Sequence, residues 1–501
     1  MGASGGRLIA AWVLVVFVIA GAFPLVTGIY QYLLVIAHFS RLHYKRCAPW
    51  LPRTAILIPA WNEGAVIAAS IDRLMRLDYP QDALRIYVVD DASTDETPQI
   101  VAAKVAEYPG SVYHLRRDTG GEGKAQTLNH GLATIMSDDW MQALLIMDAD
   151  VVYERTSLRA MTRHLADPAV GAVTGYIQEG SRPGNYLTRF IAYEYITAQA
   201  AARRAQNVIG ALACLAGGAQ LHSRANIEAI GGQIDTGTLA EDTVSTFRTQ
   251  LAGRRVLFEP HAKVWAEEPG SISALWKQRL RWARGNVQVT WRFRRVWFRP
   301  ARAHRLGSLS FGAIWFSVFL LPVTLLIASA SLVALYFVDN QLSHTAFRAL
   351  WIINVITYVF LLCYTLLIDP QSGRRSWRQG ALFPGVVSLV IMASVLFSVQ
   401  VNWLARNALA QAGVGYGHRV VTAEVLFAYV WLAGSMAVAY LAKVVERDRG
   451  LGKYVSTALI YIAGYGSLLC VITLTAYLKE FRRAEATWDK TVKTGKMGVP
   501  S

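Results

Sequence analysis

Long stretches without a charged residue are the feature of this sequence that most restricts its fold. The first runs from Leu8 to Ala37 and contains no Asp, Glu, Lys or Arg. Because a membrane span needs roughly 20 apolar residues, a stretch of 30 predicts one long or tilted helix and is too short for two. It is also longer than the core of a signal peptide, and no small-residue cleavage site follows it. We therefore predict an N-terminal transmembrane anchor over residues 1–40.

Further apolar stretches follow Arg305, at 307–337, 348–368, 381–404, 424–441 and 454–478. They predict transmembrane or interfacial helices over residues 307–480. The stretch 381–404 lies between basic segments and contains Pro384-Gly385, so we expect it to lie in the cytosolic interface without crossing, giving five spans in total. More cations follow the anchor than precede it, which places the next segment in the cytosol. The cations in and just before the tail, 481–501, favour the cytosol for the tail as well. The sequence thus predicts a multi-pass protein of the cell membrane.

The segment between the anchor and the later helices differs in composition. Residues 41–285 mix apolar and polar side chains and have the length of one α/β domain. Residues 286–306 are rich in Arg and Trp, and we predict an interfacial amphipathic helix there. The net charge of +16 is concentrated beside the apolar stretches, where anionic lipid attracts cations. We therefore expect a lipid bilayer as a partner and no nucleic acid.

Short apolar runs within residues 41–285 predict β-strands that alternate with helices. The runs are Thr54–Pro59, Arg85–Val89 and Ala143–Met147. Alternation of this kind is typical of βαβ units and a parallel sheet, in which ligands bind beyond the carboxyl ends of the strands. Two of the runs end in acidic residues, at Asp90-Asp91 and at Asp148-Ala149-Asp150. Both acidic pairs are thus predicted to lie at the ligand-binding edge.

Each acidic pair has a structural interpretation beside the functional one. Asp148 and Asp150 can converge on one divalent cation, because residues two apart in an extended segment face the same side. A polar turn after a buried strand would explain them equally well. Asp90 and Asp91 could bind a nucleotide base or ribose, whereas the following segment, "STDE" (93–96), predicts a capping box for the next helix.

Two further residues are candidates for chemistry. Lys124 follows three glycines in "TGGEGK", but Ala125 replaces the hydroxyl residue of a P-loop, so an ATPase is disfavoured. Lys124 is either a point charge near a diphosphate or an ordinary exposed lysine. Asp242 lies in the first turn of a predicted helix, where the macrodipole favours acids. The same field keeps its carboxylate ionised, as a general base requires.

Seven stretches, taken in order, resemble the processive family-2 glycosyltransferases, such as cellulose, chitin, hyaluronan and poly-N-acetylglucosamine synthases. They are "IPAWNE" (58–63), "VVDDAS" (88–93), "GKAQTLN" (123–129), "MDAD" (147–150), "AGGAQLHSR" (216–224), "AEDT" (240–243) and "QRLRW" (278–282). The tail "WDKTVKTG" (488–495) also resembles a family ending. Ala240 departs from the family pattern, which usually has threonine there. The resemblance implies an α/β nucleotide-diphospho-sugar transferase domain of the GT-A type, joined to an α-helical transmembrane bundle.

The resemblance also assigns roles to residues. It implies that the UDP-sugar donor is bound by Glu63, Asp90, Lys124, Asp148, Gln278 and Arg281. Asp150 would hold Mg²⁺ or Mn²⁺, and Asp242 would deprotonate the acceptor hydroxyl. Trp282 would offer its face to the terminal sugar of the acceptor.

The implied function is a processive, inverting transferase that makes a β-linked polysaccharide from a UDP-sugar and moves it across the membrane. UDP-N-acetylglucosamine is favoured over UDP-glucose, because "WKQRLRWARG" is particularly similar to the poly-N-acetylglucosamine synthase version. Expected partners are the donor, the growing polysaccharide, the bilayer and accessory secretion proteins. One alternative is a transferase that moves a single sugar onto a polyprenyl phosphate lipid. Another is a transporter or scaffold with a degenerate soluble domain.

Overall fold

The computed structural model describes residues 2–41, 47–413, 415, 417–446, 450–485, 495 and 497. The predicted family-like ending therefore lies outside the described residues, apart from Gly495. The chain divides into two compact units. We call residues 33–312 with 483–501 the sheet unit, and residues 1–32 with 313–482 the helical unit.

The charge-free stretch at the N-terminus forms two helices, α1 (Gly2–Ala20) and α2 (Phe23–Arg41). Together they give one candidate span of 35 residues, Gly6–Ser40. The short break between them differs from the single predicted helix. It lies at Gly21, where a Cβ atom would come within 2.7 Å of the Ala328 Cβ. The break thus coincides with a close contact inside the helical unit.

One eight-stranded sheet forms the centre of the sheet unit. Its strands are β1 (Thr54–Ala60), β2 (Leu84–Asp90), β3 (Val112–Arg116), β4 (Ala143–Ile146), β5 (Val151–Tyr153), β6 (Val170–Glu179), β7 (Gln220–Ser223) and β8 (Arg255–Ala266). Their spatial order is β3-β2-β1-β4-β7-β6-β8-β5. The three predicted strands are confirmed as β1, β2 and β4. The sheet is mixed rather than parallel, because β7 runs antiparallel to both of its neighbours and β5 runs antiparallel to β8.

Helices cover the sheet and connect its strands. They are α3 (Ile67–Leu74), α4 (Thr97–Glu107), α5 (Lys124–Ile135), α6 (Ser157–Thr162), α7 (Tyr186–Glu194), α8 (Ala202–Ile209), α9 (Arg224–Ala229), α10 (Glu241–Leu251) and α11 (Ile272–Arg292). A π-helical segment, Tyr195–Ala201, joins α7 to α8. The structure differs from the predicted helix over 286–306, because α11 continues to Arg292 and turns follow over 293–298. The placement of this region at a membrane surface stays a prediction.

The packing of α5 shows how the core positions the edge of the sheet. Leu128 and Leu132 are buried against Leu57 and Val89 on the sheet. Gly131 allows this close approach, since a Cβ atom there would lie 2.5 Å from the Leu57 side chain and 2.6 Å from that of Val89. The amphipathic face of α5 therefore fixes its first residue, Lys124, beyond the carboxyl ends of β1 and β2.

The helical unit holds the later apolar helices. They are α12 (Leu309–Phe319), α13 (Leu321–Val338), α14 (Asn340–Ile368), α15 (Pro370–Ala381), α16 (Val386–Leu396), α17 (Ser398–Gln411), α18 (His418–Glu446), α19 (Leu451–Ala463) and α20 (Tyr465–Phe481), of which α12 extends over the unit boundary. Among the described residues, four segments are long and apolar enough to span a membrane, or up to six if each of two bent pairs is one span. The four are Gly6–Ser40 at the N-terminus, α13, α14 and most of α18. The predicted count of five spans remains a prediction.

The two bent helix pairs meet at glycines. α15 and α16 are bent by 76°, and α19 and α20 by 96°. Gly385 and Gly464 have φ angles of +86° and +92°, which favour glycine. A Cβ atom on Gly385 would lie 2.5 Å from the Gly464 nitrogen. Only glycine fits at this crossing, so the stretches predicted at 381–404 and 454–478 are broken rather than continuous helices.

Candidate active site

A cavity of about 480 Å³ lies in the sheet unit, beyond the carboxyl ends of β1, β2 and β4. The structure brings eight of the nine predicted site residues to its wall. They are Glu63, Lys124, Asp148, Asp150, Asp242, Gln278, Arg281 and Trp282. They come from segments spread over 220 positions of the sequence, between Glu63 and Trp282. The exception is Asp90, which does not line the cavity.

Asp90 and Asp91 have separate functions in the turn after β2. The Asp90 carboxylate is fully buried and accepts hydrogen bonds from the Ser93 backbone N–H at 2.8 Å and from Arg116 Nη1 at 2.8 Å. Asp91 lines the cavity, and its Oδ2 accepts from the Gly121 backbone N–H at 3.0 Å. In this geometry Asp90 holds the turn, and Asp91 is the carboxylate that reaches the cavity.

The capping box predicted at 93–96 is wrong. α4 begins at Thr97, and the side chain of its N-cap residue, Glu96, makes no capping hydrogen bond. The Thr97 backbone N–H donates instead to Asp95 Oδ1 at 2.9 Å. The Ser93 Oγ instead accepts from the Asn62 backbone N–H at 2.9 Å, and Asn62 Oδ1 accepts from the Thr94 backbone N–H at 2.8 Å. The Glu63 backbone N–H donates to Thr97 Oγ1 at 2.8 Å. These bonds join the loops after β1 and β2 and so fix Glu63 at the rim of the cavity.

Lys124 is a cation in the wall of the cavity and lies between two acidic side chains. Its Nζ lies 2.6 Å from Asp148 Oδ1 and 3.7 Å from Glu241 Oε1, and it donates to the Gly217 carbonyl at 3.3 Å. Burial lowers the pKa of Lys124, but the charges of Asp148 and Glu241 outweigh it, and the net pKa is raised. The side chain is only 10% exposed. An ordinary exposed lysine is therefore excluded, and a fixed positive charge stands in the cavity wall.

Asp242 lies in the first turn of α10, as the sequence predicts. Its Oδ1 accepts from the Thr243 backbone N–H at 2.7 Å. A Cβ atom on Gly217 would lie 3.4 Å from Asp242 Oδ2 and 3.3 Å from Lys124 Nζ. The carboxylate and the cation thus flank the same glycine at the cavity wall. Burial raises the pKa of the neighbouring Glu241 carboxyl, and Lys124 opposes that shift.

The loop before Asp242 is held by the C-terminal half of α11. Arg292 forms hydrogen bonds of 2.5 and 3.0 Å with the two carboxylate oxygens of Asp235, and Gln288 Oε1 accepts from the Leu239 backbone N–H at 2.9 Å. Gly285 of α11 packs against Ala240, the residue where the chain departs from the family pattern. The helix α11, which carries "QRLRW" (278–282), therefore also positions the candidate base, Asp242.

Several cavity residues were missed by the sequence analysis. Glu194, Tyr195, Gln199 and Arg203, in and around the π-helical segment, line the cavity, and so do Glu267 and Glu268. The two glutamates follow β8 directly, as other acids follow β2 and β4, so the rule about strand ends could have found them. The residues around the π-helical segment carry no such signal, because no motif marks "EYITAQAAARR" (194–204) as part of a site.

The cavity can accommodate a divalent cation with few protein ligands. Among the described residues, no group of three or more His, Cys, Asp or Glu side chains is arranged to hold a metal. Asp150 is 9% exposed and lines the cavity, while Asp148 is bound to Lys124. Mg²⁺ in proteins is commonly held by one or two carboxylates together with substrate phosphates and water. Asp150 with a diphosphate would form such a site.

Comparison with known proteins shows which family the domain around this cavity belongs to. Residues 52–285 match the family described as "Glycosyltransferase like family 2". The "Probable glycosyltransferase YdaM" of Bacillus subtilis (strain 168) is 32% identical over 329 residues, which cover 65% of this chain and 76% of that protein. The chain belongs to glycosyltransferase family 2. As a family-2 glycosyltransferase, it is a hexosyltransferase with a GT-A-type domain, which confirms the predicted fold and enzyme class.

Other relatives of this family-2 glycosyltransferase differ in the products that their names state. The "Beta-monoglucosyldiacylglycerol synthase" of Synechocystis sp. (strain ATCC 27184 / PCC 6803 / Kazusa) is 32% identical over 238 residues, covering 47% of this chain and 48% of that protein. The "Poly-beta-1,6-N-acetyl-D-glucosamine synthase" of Staphylococcus aureus (strain COL) is 27% identical over 234 residues, covering 46% and 54%. The chain spans about half the length of these two relatives.

A solved structure with a similar fold is a mannosyltransferase of Pyrobaculum calidifontis in complex with GDP-Man and Mn²⁺. It is 23% identical, with a TM-score of 0.48, and the match covers 70% of this chain and 98% of that one.

Proposed function

We propose that this family-2 glycosyltransferase polymerises a β-linked polysaccharide from a UDP-sugar by processive, inverting transfer, and moves the product across the cell membrane. The observation that carries the proposal is that one cavity holds a donor-side cation, Lys124, a candidate base, Asp242, and an aromatic platform, Trp282. A single displacement requires the donor, the base and the acceptor to meet at one point. This cavity holds a candidate residue for each of these roles.

The donor is held by charge. Lys124 and Arg281 are the cations that face the diphosphate, and they stabilise the negative charge that develops as UDP leaves. Asp150 would hold Mg²⁺ or Mn²⁺, which would supply positive charge to neutralise the diphosphate of the leaving UDP. Glu63 contacts the uridine from the rim. Asp91 is placed better than Asp90 for that contact, because it lines the cavity whereas Asp90 does not.

The acceptor is activated by Asp242. Its carboxylate takes the proton from the acceptor hydroxyl, whose oxygen attacks the anomeric carbon on the face opposite the departing UDP. The bond to the diphosphate oxygen breaks as the new glycosidic bond forms, and the configuration inverts. Trp282 is 37% exposed, and an exposed indole face is a flat apolar surface suited to a pyranose ring.

Translocation is proposed because a sugar polymer cannot cross lipid unaided, and polar groups at membrane depth must face protein or water. The apolar helices of the helical unit would provide that path, with Trp315 and Tyr358 as candidate lining residues. Trp351, a third candidate, is 2% exposed and packs with Phe347 in the core of the helical unit, so it is a packing residue. Secretion proteins that receive the polymer are the expected partners.

The relatives' names support two acceptor classes. The Staphylococcus aureus synthase favours UDP-N-acetylglucosamine as donor and a polysaccharide as product. The Synechocystis relative, which is more similar in sequence, favours the second candidate function, the transfer of a single sugar from UDP-glucose onto a lipid. A polyprenyl phosphate is a further acceptor of that lipid class.

Membranes containing the protein, incubated separately with radiolabelled UDP-N-acetylglucosamine and UDP-glucose, distinguish the two functions. Polymerisation gives a high-molecular-weight product that a glycosidase digests, whereas single transfer gives label that extracts into organic solvent with lipid. Asp242→Asn membranes serve as the matched control, because they should bind donor without forming either product. Label found only in the lipid fraction would overturn the polymerase proposal.

Sealed vesicles containing the purified protein test translocation. Donor supplied on the catalytic side should give polymer that added glycosidase cannot reach until detergent opens the vesicle. If the polymer is fully digestible before detergent is added, the protein is a synthase that does not translocate.

A further inference from the structure

We infer that Arg279 is a positioning residue that fixes the indole of Trp282 as the acceptor platform. The inference rests on the proposed role of Trp282 in acceptor binding. The sequence gives Arg279 no such role, because it occupies one of the two unspecified positions when "QRLRW" (278–282) is written as the pattern Q-x-x-R-W.

The contact between the two side chains is direct. Arg279 and Trp282 are three residues apart in α11 and so lie on one face of the helix. The Arg279 guanidinium carbon lies 4.0 Å from the Trp282 ring centroid, well within the range of a cation–π interaction. Arg279 is 5% exposed, whereas Trp282 is 37% exposed. The buried cation therefore supports the indole and leaves part of the ring open to the cavity.

A belt of hydrogen bonds fixes the guanidinium in turn. Arg279 Nη2 donates to Glu194 Oε2 at 3.1 Å, and Nη1 donates to Gln278 Oε1 at 2.9 Å. Gln278 Nε2 donates to Glu268 Oε2 at 3.4 Å, and the Tyr195 hydroxyl donates to Glu268 Oε1 at 2.5 Å. The belt joins α11 to the π-helical segment and to the residues after β8. A planar guanidinium with two fixed partners has a defined orientation. The orientation of the Arg279 guanidinium in turn fixes the plane of the Trp282 indole that lies against it.

The belt also gives Gln278 a role other than donor binding. The amide oxygen of Gln278 accepts a hydrogen bond from Arg279, and its amide nitrogen donates one to Glu268, although the side chain lines the cavity. Gln278 is thus a second member of the support behind Trp282. A lysine at position 279 would keep the charge but lose the planar fork that satisfies Glu194 and Gln278 together.

The test is a double-mutant cycle on purified protein, read by sugar transferred from radiolabelled donor and by the dissociation constant for UDP. Arg279→Gln should lower transfer on the order of tenfold, the effect of losing a desolvated cation–π contact. The UDP dissociation constant should stay within about twofold, because neither donor-side cation, Lys124 or Arg281, is a member of the belt. In a Trp282→Leu background, Arg279→Gln should cause no further loss, because it acts through the ring.

Arg294→Gln is the matched control. The Arg294 guanidinium lies 5.2 Å from the Trp291 ring, but Trp291 is 71% exposed and the pair lies outside the cavity. This variant should transfer sugar at the wild-type rate. Arg279→Lys should fall between Arg279→Gln and wild type. If Arg279→Gln does not fold, Glu194→Gln tests the same belt with an isosteric change, and it should lower transfer while leaving UDP binding intact.

Losses that multiply in the double variant, or a fall in UDP affinity as large as the fall in transfer, would overturn the inference. Unchanged transfer in both Arg279→Gln and Glu194→Gln would do the same. The polymerase proposal fails separately, through the size of the wild-type product. The cycle can be measured whether that product is a polymer or a glycolipid.

Discussion

Replacing Gly285 by alanine is expected to slow sugar transfer much more than it weakens donor binding. A Cβ atom at this position would lie 2.7 Å from the Ala240 Cβ and 3.2 Å from the Ala240 nitrogen. Because carbon atoms in contact are ordinarily about 3.5–4.0 Å apart, Ala240 or α11 must move by about 1 Å. Ala240 directly precedes Glu241 and Asp242, so this movement reaches the candidate base.

The magnitude follows from two opposing effects. Alanine in the interior of a helix is favoured over glycine by about 1 kcal/mol. Overpacking of a closely packed site costs about 1–3 kcal/mol, so the contact with Ala240 outweighs the gain in helix propensity. A displacement of about 1 Å at a reacting group can cost on the order of 100-fold in rate. We expect kcat to fall between about 10- and 100-fold, which corresponds to about 1.4–2.7 kcal/mol of activation free energy.

The assay measures UDP release by purified enzyme and UDP binding by calorimetry. The UDP dissociation constant should rise far less than kcat falls, because Lys124 and Asp148 lie on other elements of the cavity and only one of the two donor-side cations, Arg281, lies on α11. Gly434→Ala is the matched control. It lies within α18, where the nearest atom to an added Cβ is a Val430 methyl at 3.8 Å, and its activity should equal wild type.

Adding Ala240→Gly to Gly285→Ala removes the Cβ–Cβ contact and should restore part of the lost rate. A wild-type kcat for Gly285→Ala would refute the reasoning, and so would a loss of equal size in Gly434→Ala.

Three further predictions concern the base, the metal and pH. Asp242→Asn should abolish transfer and leave UDP binding near wild type, since a general base acts in the chemical step; near-normal turnover would remove Asp242 from that role. Chelation by EDTA should silence transfer reversibly, and Asp150→Ala should weaken donor binding as well as rate, as titration with Mn²⁺ and UDP can measure; full activity in excess EDTA would contradict the metal site. Burial lowers the pKa of His222 to about 4. In the unfolded chain the His222 imidazole takes up a proton below about pH 6.5, whereas in the folded protein it does so only near pH 4. The contribution of neutral His222 to stability is therefore present above pH 6.5 and is lost as the pH falls toward 4. It amounts to about 2 kcal/mol between pH 6.5 and pH 5. Thermal unfolding of His222→Gln should therefore depend less on pH over this range than unfolding of wild type, and equal slopes would count against the prediction.

Local patterns in the sequence determined the elements and most of the site. Apolar runs bounded by proline and by acids located β1, β2 and β4, because a strand in the middle of a sheet must be apolar on both faces. Asp148 and Asp150 could be assigned to one edge because they are two positions apart, which makes their relation a property of the local chain. The order of the seven motifs supplied the family, and with it Lys124, Asp242 and Trp282.

Only the tertiary structure decided which of two adjacent aspartates reaches the cavity. Asp90 and Asp91 have the same charge, lie in the same motif and are both buried. Arg116 and the Ser93 backbone bind the first away from the cavity, whereas the second, bound by Arg117 and the Gly121 backbone, lines it. Contacts between residues that are far apart in the sequence likewise could not be predicted from it. Arg279 meets Glu194 across 85 positions, and Gly285 meets Ala240 across 45. Such contacts depend on how helices pack against the sheet, and packing is set by the shapes of all the side chains at once, so no local pattern encodes them.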